Sequence, residues 1–570
     1  MRSITQEVWR KNSLGKILLC LALTLTACTH EQRDGTSQVF YGALQDDAKS
    51  LDPVQAYDEV SLEIVPLIYE SLYQYSYLEE PYKVVPLLAS DYPKLSKDRL
   101  TVTIPLRRDV LFQNGRPMVA KDFVYSWNRL LAPQLHSTGR WLFDGKIKDF
   151  KALDEHTLQI LLIKPYPNLL NVLCMSFTAV LPEEAVKKNA DAQGALLDQH
   201  VGTGPFLLKK WDHGYRISLE KNPKYHPDFY PEAASPRLKK LGLTADVGKT
   251  LPFLDKVHLD VIRETQPTWL NFISGKLDRL TIPKDNLPSA ITKDNTLSDE
   301  LKAKGVQLRI EPTGKFYFVA FNSQDPVLGK NKFLRQAISS AIDRKAWIQL
   351  FTQNQGIAAD QVLPANIADR LPRSQLKYDF NIARAKELLK KAGYPGGEGL
   401  PTLLFDMRGA DSLSRQLGDF FRQQLAVVGI KLEIVFNTFP AFLEKARQGN
   451  LHMYLGGWIL DYPDAENVWQ LLYSANRAPG PNDSNYSNPK FDKLYEAIAV
   501  MDPGPKRAEI FGQMDALIQE DCPWALGYTV TAFRLAQPWL KNYRYSDLIS
   551  NSIKYYRIDI GEKKNRLKAQ

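Results

Sequence analysis

Cysteine is nearly missing from this chain: 4 in 570 residues, two of them (Cys20 and Cys28) near the N-terminus. The other two, Cys174 and Cys522, lie one in each half. Disulfide staples are therefore excluded as the main source of stability, and a buried core must supply it. No CxxC pair and no Cys/His group with zinc spacing occurs, so no metal and no cofactor is expected. The 8 histidines are scattered, and His213 and His226 follow turn-like segments that suggest the surface. HExxH, GxSxG and P-loop patterns are absent. The acidic group Asp461, Asp464 and Glu466 has Pro463 inside it and no partner motif, so an enzyme is not expected. Beyond the N-terminal leader no apolar stretch approaches the roughly 18 residues of a spanning helix. The net charge is +9, yet Lys and Arg are interspersed with Asp and Glu and form no long basic run, which argues against a nucleic-acid partner. Neither internal repeats nor low-complexity segments occur.

What is present is ordinary globular material, 44% hydrophobic and 24% charged, long enough for two or three lobes. Residues 1–28 read as a targeting signal. A basic region ends at Lys16, and the apolar run Ile17 to Leu25 spans only about 14 Å as a helix, which fits a signal-peptide core rather than a membrane anchor. Leu25-Thr26-Ala27-Cys28 then resembles a bacterial lipobox, which implies cleavage before Cys28 and lipidation of its sulfur. An ordinary signal peptide with a chance cysteine is the alternative. Residues 29–37 are polar and read as a tether.

Beyond the tether, strand-like and helix-like segments alternate. Leu100 to Leu106 and Thr157 to Ile163 have the period of two of half-buried strands. Ala120 to Leu131 reads as a helix with Phe123, Trp127 and Leu130 on one side. Phe206 to Trp211 and Tyr215 to Leu219 suggest a hairpin around Gly214. Asn381 can cap a helix ended by Gly393, and Pro505 suits the first position of another. Ile430 to Val435 reads as a strand before a helix from Ala441 to Gln448. The pattern is α/β. Asn222 to Lys256, rich in Pro, Lys and Gly, reads as an extended surface loop or insertion.

Several segments taken in order resemble the oligopeptide- and dipeptide-binding solute-binding proteins (family 5) of ABC-type importers, over about residues 38–556. They are Ser50-Leu51-Asp52-Pro53, Ile68-Tyr69-Glu70-Ser71-Leu72, Leu106-Arg107-Arg108-Asp109-Val110, Asn114-Gly115-Arg116-Pro117, and the helix containing Phe123-Val124-Tyr125-Ser126-Trp127. Further on come Gly202-Thr203-Gly204-Pro205-Phe206, Ser274-Gly275-Lys276-Leu277-Asp278, and Leu334-Arg335-Gln336-Ala337-Ile338 running to Ala341-Ile342-Asp343-Arg344. Gly456-Gly457-Trp458 with Asp461-Tyr462, and Asn485-Tyr486-Ser487-Asn488-Pro489, complete the set. Each alone is weak, but the ordered set is specific.

The resemblance implies a three-lobed, periplasmic-binding-protein-like α/β fold that closes by hinge motion over an interlobe cleft. Lobe I would comprise 38–69, 199–309 and 535–565, lobe II 70–198 and lobe III 310–534. Cys174 and Cys522 would then lie in different lobes and stay unpaired. The implied function is capture of (oligo)peptides and delivery to the permease and ATPase subunits of an ABC importer. The protein would be a monomer held at the bacterial periplasm or outer face of the cell membrane by its lipid alone. Peptide sensing, or binding of a nickel chelate, haem, sugar or opine, is the alternative. Asp461 falls where relatives hold the ligand's α-ammonium. Trp458 would wall the pocket, Gly457 would offer its backbone, Tyr125 would face the cleft and Glu59 would touch the ligand main chain. Arg447 and Arg370 are candidates for the ligand carboxylate. One departure is coherent: some members join two cysteines near the positions held here by Lys315 and Ile459, and both are missing together.

Overall fold

The computed structural model describes residues 36–568 except 81, 233–234, 366, 368–369 and 373–375. The signal segment, Cys28 and most of the tether lie outside the described residues. Among the described residues no helix is long and apolar enough to cross a membrane.

Three sheets organise the chain. In the first, Val39–Leu44 lies parallel to Lys256–Val261, which continues antiparallel into Arg216–Lys221 and Phe206–Asp212. The second is antiparallel, in the order Lys94–Leu95, Thr101–Pro105, Thr157–Leu162, Ile147–Asp154. Its alternation is legible in Thr101–Pro105, where Val102 and Ile104 are buried while Thr101, Thr103 and Pro105 are partly exposed, as one-sided burial requires. The third and largest sheet runs Arg279–Thr281, Trp524–Ala536, Gln307–Phe321, Met453–Ile459, Leu403–Met407, Leu432–Phe436, with Gly356–Ala358 beside Trp524–Ala536.

Two long strands, Gln307–Phe321 and Trp524–Ala536, connect one core to the next. Their first-lobe ends, at Leu308, Ile310, Phe533 and Leu535, pack with Leu280 and Leu301. Their other ends, at Phe318, Val319, Ala525 and Leu526, enter the two large clusters around the third sheet. The register shifts between Pro312 and Phe316 and again between Tyr317 and Phe318, so the ladder is interrupted where the chain passes between cores.

Much of the ordered motif set proves to be scaffold. Asp52 is fully buried and accepts both guanidinium nitrogens of Arg129, at 3.2 and 2.7 Å. This pins the Ser50–Pro53 segment to the helix Ala120–Leu131, whose Phe123, Trp127 and Leu130 fill the second core. Asp278 accepts from Tyr41 N–H (2.7 Å), Trp539 Nε1 (2.6 Å) and Lys563 Nζ (2.7 Å). Arg335 and Arg344 spend their guanidinium groups on backbone carbonyls, among them those of Leu328, Asp521 and Leu526. Cys174 and Cys522 are both free thiols.

Three sequence expectations need correction. Residues 222–256 do not form a surface loop: Tyr230, Leu238, Leu243, Leu251 and Leu254 are buried in the first core, and Pro236–Lys240 is a helix. Within the same segment His226 is not at the surface; its ring lies 3.0 Å from the buried Glu70 carboxylate. The helix expected from Ala441 begins at Phe439, because Thr438 caps it by accepting from Ala441 N–H.

Candidate functional site: an acidic seam between lobes

The strand Met453–Ile459 carries the site. It pairs antiparallel with Gln307–Phe321, Trp458 opposite Phe316 and Gly457 opposite Tyr317, and it runs parallel to Leu403–Met407, itself parallel to Leu432–Phe436. Three carboxyl ends therefore gather at one edge, the place where open α/β sheets bind ligands. The residues just past them are Arg408, Phe439 and Asp461. Phe439, Leu443, Leu413 and Ile459 are exposed apolar side chains.

The two glycines have a steric cause. A Cβ at Gly456 would stand 2.3 Å from the Phe318 ring, and one at Gly457 2.7 Å from the Tyr317 ring and 3.2 Å from Arg408 Nη1. Arg408 thus rests against the strand's backbone at Gly457. Its guanidinium lies over Phe439 and Phe442, 5.3 and 5.9 Å from the ring centroids, and makes no ion pair with a described residue.

Asp461 is organised by Asn467, a fully buried amide. Asn467 Oδ1 accepts from Trp458 Nε1 (3.0 Å) and Asp461 N–H (3.1 Å), and its Nδ2 donates to Asp461 Oδ2 at 3.0 Å. The other oxygen, Oδ1, accepts from Tyr57 OH at 2.9 Å. Tyr57 comes from the segment before the helix Glu59–Ile68, and its ring packs 5.5 Å from Phe177 of the second core. Asp461 is therefore tied through Tyr57 to the second core; its donors among the described residues are neutral, and burial holds its pKa above the usual aspartate range. A nearby cation, Lys146, makes no ion pair with a described residue; it lies over the Trp141 and Tyr166 rings at 4.8 and 5.0 Å, and burial lowers its pKa.

The rest of the acidic group is structural. Asp464 is held by both terminal nitrogens of buried Arg507, each at 2.7 Å. Glu466 accepts from Tyr462 OH (2.7 Å), Tyr495 OH (2.6 Å) and Asn168 Nδ2 (3.3 Å). Among the described residues no group of three His, Cys, Asp or Glu side chains is placed to hold a metal.

The other expected site residues disperse. Glu59 is the first residue of its helix and pairs with Lys315, opposite Ile459 in the ladder, so the two missing cysteines fall on facing residues. Tyr125 is half-buried against the first core beside Arg129, Glu183 and Lys187 and takes no part in the Asp461 network. Arg447 is largely exposed and lies 3.6 Å from Glu444 on its own helix. Arg370 pairs with Asp360 in the wall of a 230 Å³ cavity that also has Phe316, Tyr317 and Tyr528 in its lining. Neither expected arginine is an uncommitted cation at the seam. Arg408 is, and neither it nor Asn467 belongs to a sequence motif.

The model for bacterial extracellular solute-binding proteins, family 5, matches residues 83–480. The chain belongs to that family. Its members are solute-binding proteins, not enzymes. The oligopeptide-binding protein OppA of Bacillus subtilis is 25% identical over 508 residues, covering 85% of this chain and 86% of its own. The periplasmic murein peptide-binding protein MppA of Escherichia coli is 24% identical, covering 88% and 89%. Among solved structures, the DppA protein of Helicobacter pylori in complex with the peptide STSA superposes with a TM-score of 0.71 at 23% identity, covering 92% of this chain and 98% of its own. The likeness establishes the lobed α/β fold.

Proposed function

We propose that this solute-binding protein captures peptides between its lobes and delivers them to the permease of an ABC-type importer. The observation that carries the reading is a pair of opposite, uncommitted charges at one sheet edge. Among the described residues Asp461 has no cation bound to it, and Arg408, resting at Gly457, has no carboxylate. The two attachment points, Gly457 and Asp461, lie four residues apart in the chain, the first in the strand Met453–Ile459 and the second just past its end. A peptide is complementary to this pair: its α-ammonium meets Asp461 and its terminal carboxylate meets Arg408. Relatives named for oligopeptides and murein peptides support the ligand class. The interrupted ladder between Pro312 and Phe316 supports a hinge there, with lobe boundaries near residues 69, 198, 309 and 534. Calorimetry with a free peptide, its N-acetylated form and its C-amidated form tests the reading. Each blocked form is expected to lose about two decades or more of affinity; equal binding of all three would refute it.

The anchor is proposed from Leu25-Thr26-Ala27-Cys28. A Cys28→Ala protein is expected to leave the membrane fraction or to stay unprocessed, since stable anchoring needs more than one acyl chain. Fractionation with wild-type behaviour would refute lipidation.

A further inference from the structure

The 461–467 loop that carries Asp461 also receives an amide from another core. Asn168 is buried, and Leu169, Val172 and Leu173 just after it belong to the second core. Its Nδ2 donates to Asp464 Oδ1 and to Glu466 Oε2, each at 3.3 Å, so both amide hydrogens are used. A flipped amide would set its oxygen against two carboxylates. As it stands, Asn168 Oδ1 accepts from Asn171 Nδ2 at 3.1 Å, and Asn171 Oδ1 accepts from Tyr75 OH at 3.1 Å. A directed chain of donors thus runs from a phenol through two amides to a pair of carboxylates.

Two features mark this contact as one that opens. First, among the described residues the second core shares no member with the two cores around the third sheet, so no apolar cluster welds them. Polar contacts of this kind join parts that move relative to one another. Second, neither side depends on the contact. Without Asn168, Asp464 keeps both bonds from Arg507, at 2.7 Å each, and Glu466 keeps the phenols of Tyr462 and Tyr495, at 2.7 and 2.6 Å. Opening therefore leaves no buried charge unpaired, and the bonds given up are longer than those that stay. A second polar contact joins the same regions at the rim. Arg99, just before the strand Thr101–Pro105, lies 2.5 Å from Asp502 Oδ1, and both side chains are open to solvent.

We infer that Asn168 is a positioning residue for ligand capture: a latch that closes the second core onto the Asp461 loop and slows release of the ligand without touching it. Asn467 accepts from Asp461 N–H, and its own N–H donates to the Asp464 carbonyl at 3.1 Å. The latched acids and the ligand-facing acid therefore move as one unit. The inference rests on capture between lobes and not on the ligand being a peptide.

The test compares the mature wild type with Asn168→Asp, which sets a carboxylate against two others, and with Asn168→Ala, which only removes the donors. Small-angle X-ray scattering, on protein alone and with saturating tri-alanine, reads the closure; biolayer interferometry reads the rates. Asn168→Asp is expected to have a larger radius of gyration than wild type, with a denaturant midpoint close to it, because opening relieves the repulsion. Tri-alanine is expected to leave Asn168→Ala about tenfold faster than wild type, with association within about threefold. Equal radii of wild type and Asn168→Asp in both conditions overturn the inference. So does an Asn168→Ala protein of lower stability and unchanged release, since the contact is then permanent scaffold. Failure of wild type to bind tri-alanine counts against the peptide reading, and the scattering of the proteins alone still decides the latch. If Asn168→Asp does not fold, Arg99→Glu repels Asp502 at the exposed rim in its place. An unchanged radius there, together with unchanged release from Asn168→Ala, overturns the latch.

Discussion

Asp461 and Asp464 stand three residues apart in one loop, and their surroundings differ in kind. Asp464 is fully buried against Arg507, two guanidinium nitrogens on two carboxylate oxygens. Asp461 is half-buried and meets only a phenol and an amide. A carboxylate closed by its own cation has nothing to offer a ligand and serves as scaffold. A carboxylate satisfied by neutral donors keeps its full charge, and an arriving ammonium gains a charge-assisted bond without first displacing a protein cation. The same distinction separates Asp52, Asp278 and Asp228, each held by a lysine or arginine, from Asp461 and Asp483. Lack of a counter-charge is not enough by itself, since Glu466 also meets only neutral donors, but Glu466 is buried whereas Asp461 is partly exposed.

The sharpest way to break this comparison is to open the scaffold pair. Replacing Arg507 by Leu leaves Asp464 buried and unpaired, and is expected to cost about 3–5 kcal/mol of stability. Denaturant unfolding measures it. If Arg507→Leu is nearly as stable as wild type, Asp464 is not the anchor described here. Asp461→Asn is expected to behave in the opposite way. It retains the shape, keeps the bonds to Tyr57 and Asn467 in altered form, and removes a charge that burial disfavours, so stability should hold or rise slightly. Peptide affinity should drop by two to three decades. N-acetylation of the peptide should add little further loss in this mutant, the non-additivity expected of a direct contact. A large loss of stability in Asp461→Asn would place it with Asp464.

The sequence carried the local parts of this picture and missed the distant ones, for a physical reason. The helix Ala120–Leu131, the Asn381 cap and the turn at Gly214 are set by neighbours within a few residues, and the pattern of apolar residues and caps is enough to find them. Asp461 was reachable through the Gly457-Trp458 motif. Its separation from Asp464 was not, because that depends on Arg507, 43 residues onward. His226 was misplaced for the same cause: its partner Glu70 is 156 residues away, and only the fold joins them. Asn467 and Arg408 carry no motif, since an amide that clamps a carboxylate and an arginine lying over two phenylalanines look ordinary in sequence. The motif segments themselves mostly mark scaffold, as Asp52, Asp278, Arg335 and Arg344 show.

A smaller effect sharpens the contrast through pH. With a folded pKa of about 6 against an ordinary value of 3.8, Asp483 retains its proton in the native state after the unfolded chain has lost it. Stability from this group is therefore fully present below about pH 4 and lost as pH rises towards 6. Two pKa units correspond to roughly 2–3 kcal/mol. Asp483→Asn should remove that decline, so the difference in unfolding free energy between mutant and wild type should grow between pH 4 and 6 and then level off. A flat difference would mean that the Asp483 carboxyl is solvated and free to ionise.

The smallest expected effect concerns Glu59, the residue that the resemblance proposed for the ligand main chain. It lies at the first turn of its helix with a side chain 69% exposed, and its carboxylate pairs with Lys315. An ion pair this open is screened by water and salt and contributes about 0–1 kcal/mol. Its position at a helix N-terminus adds a few tenths more for a negative charge. Glu59→Gln is thus expected to change stability by less than about 1 kcal/mol and peptide affinity by less than about threefold. If it instead lowers affinity by a decade or more while stability holds, the seam extends past Tyr57 to Glu59. The site would then possess a second acid able to meet the peptide's ammonium, and Lys315 would be the cation displaced when a ligand enters. The double mutant Glu59→Gln with Lys315→Met separates these cases. Loss of affinity that Lys315→Met restores comes from an unpaired lysine in the seam, whereas loss that persists comes from a direct contact with the ligand.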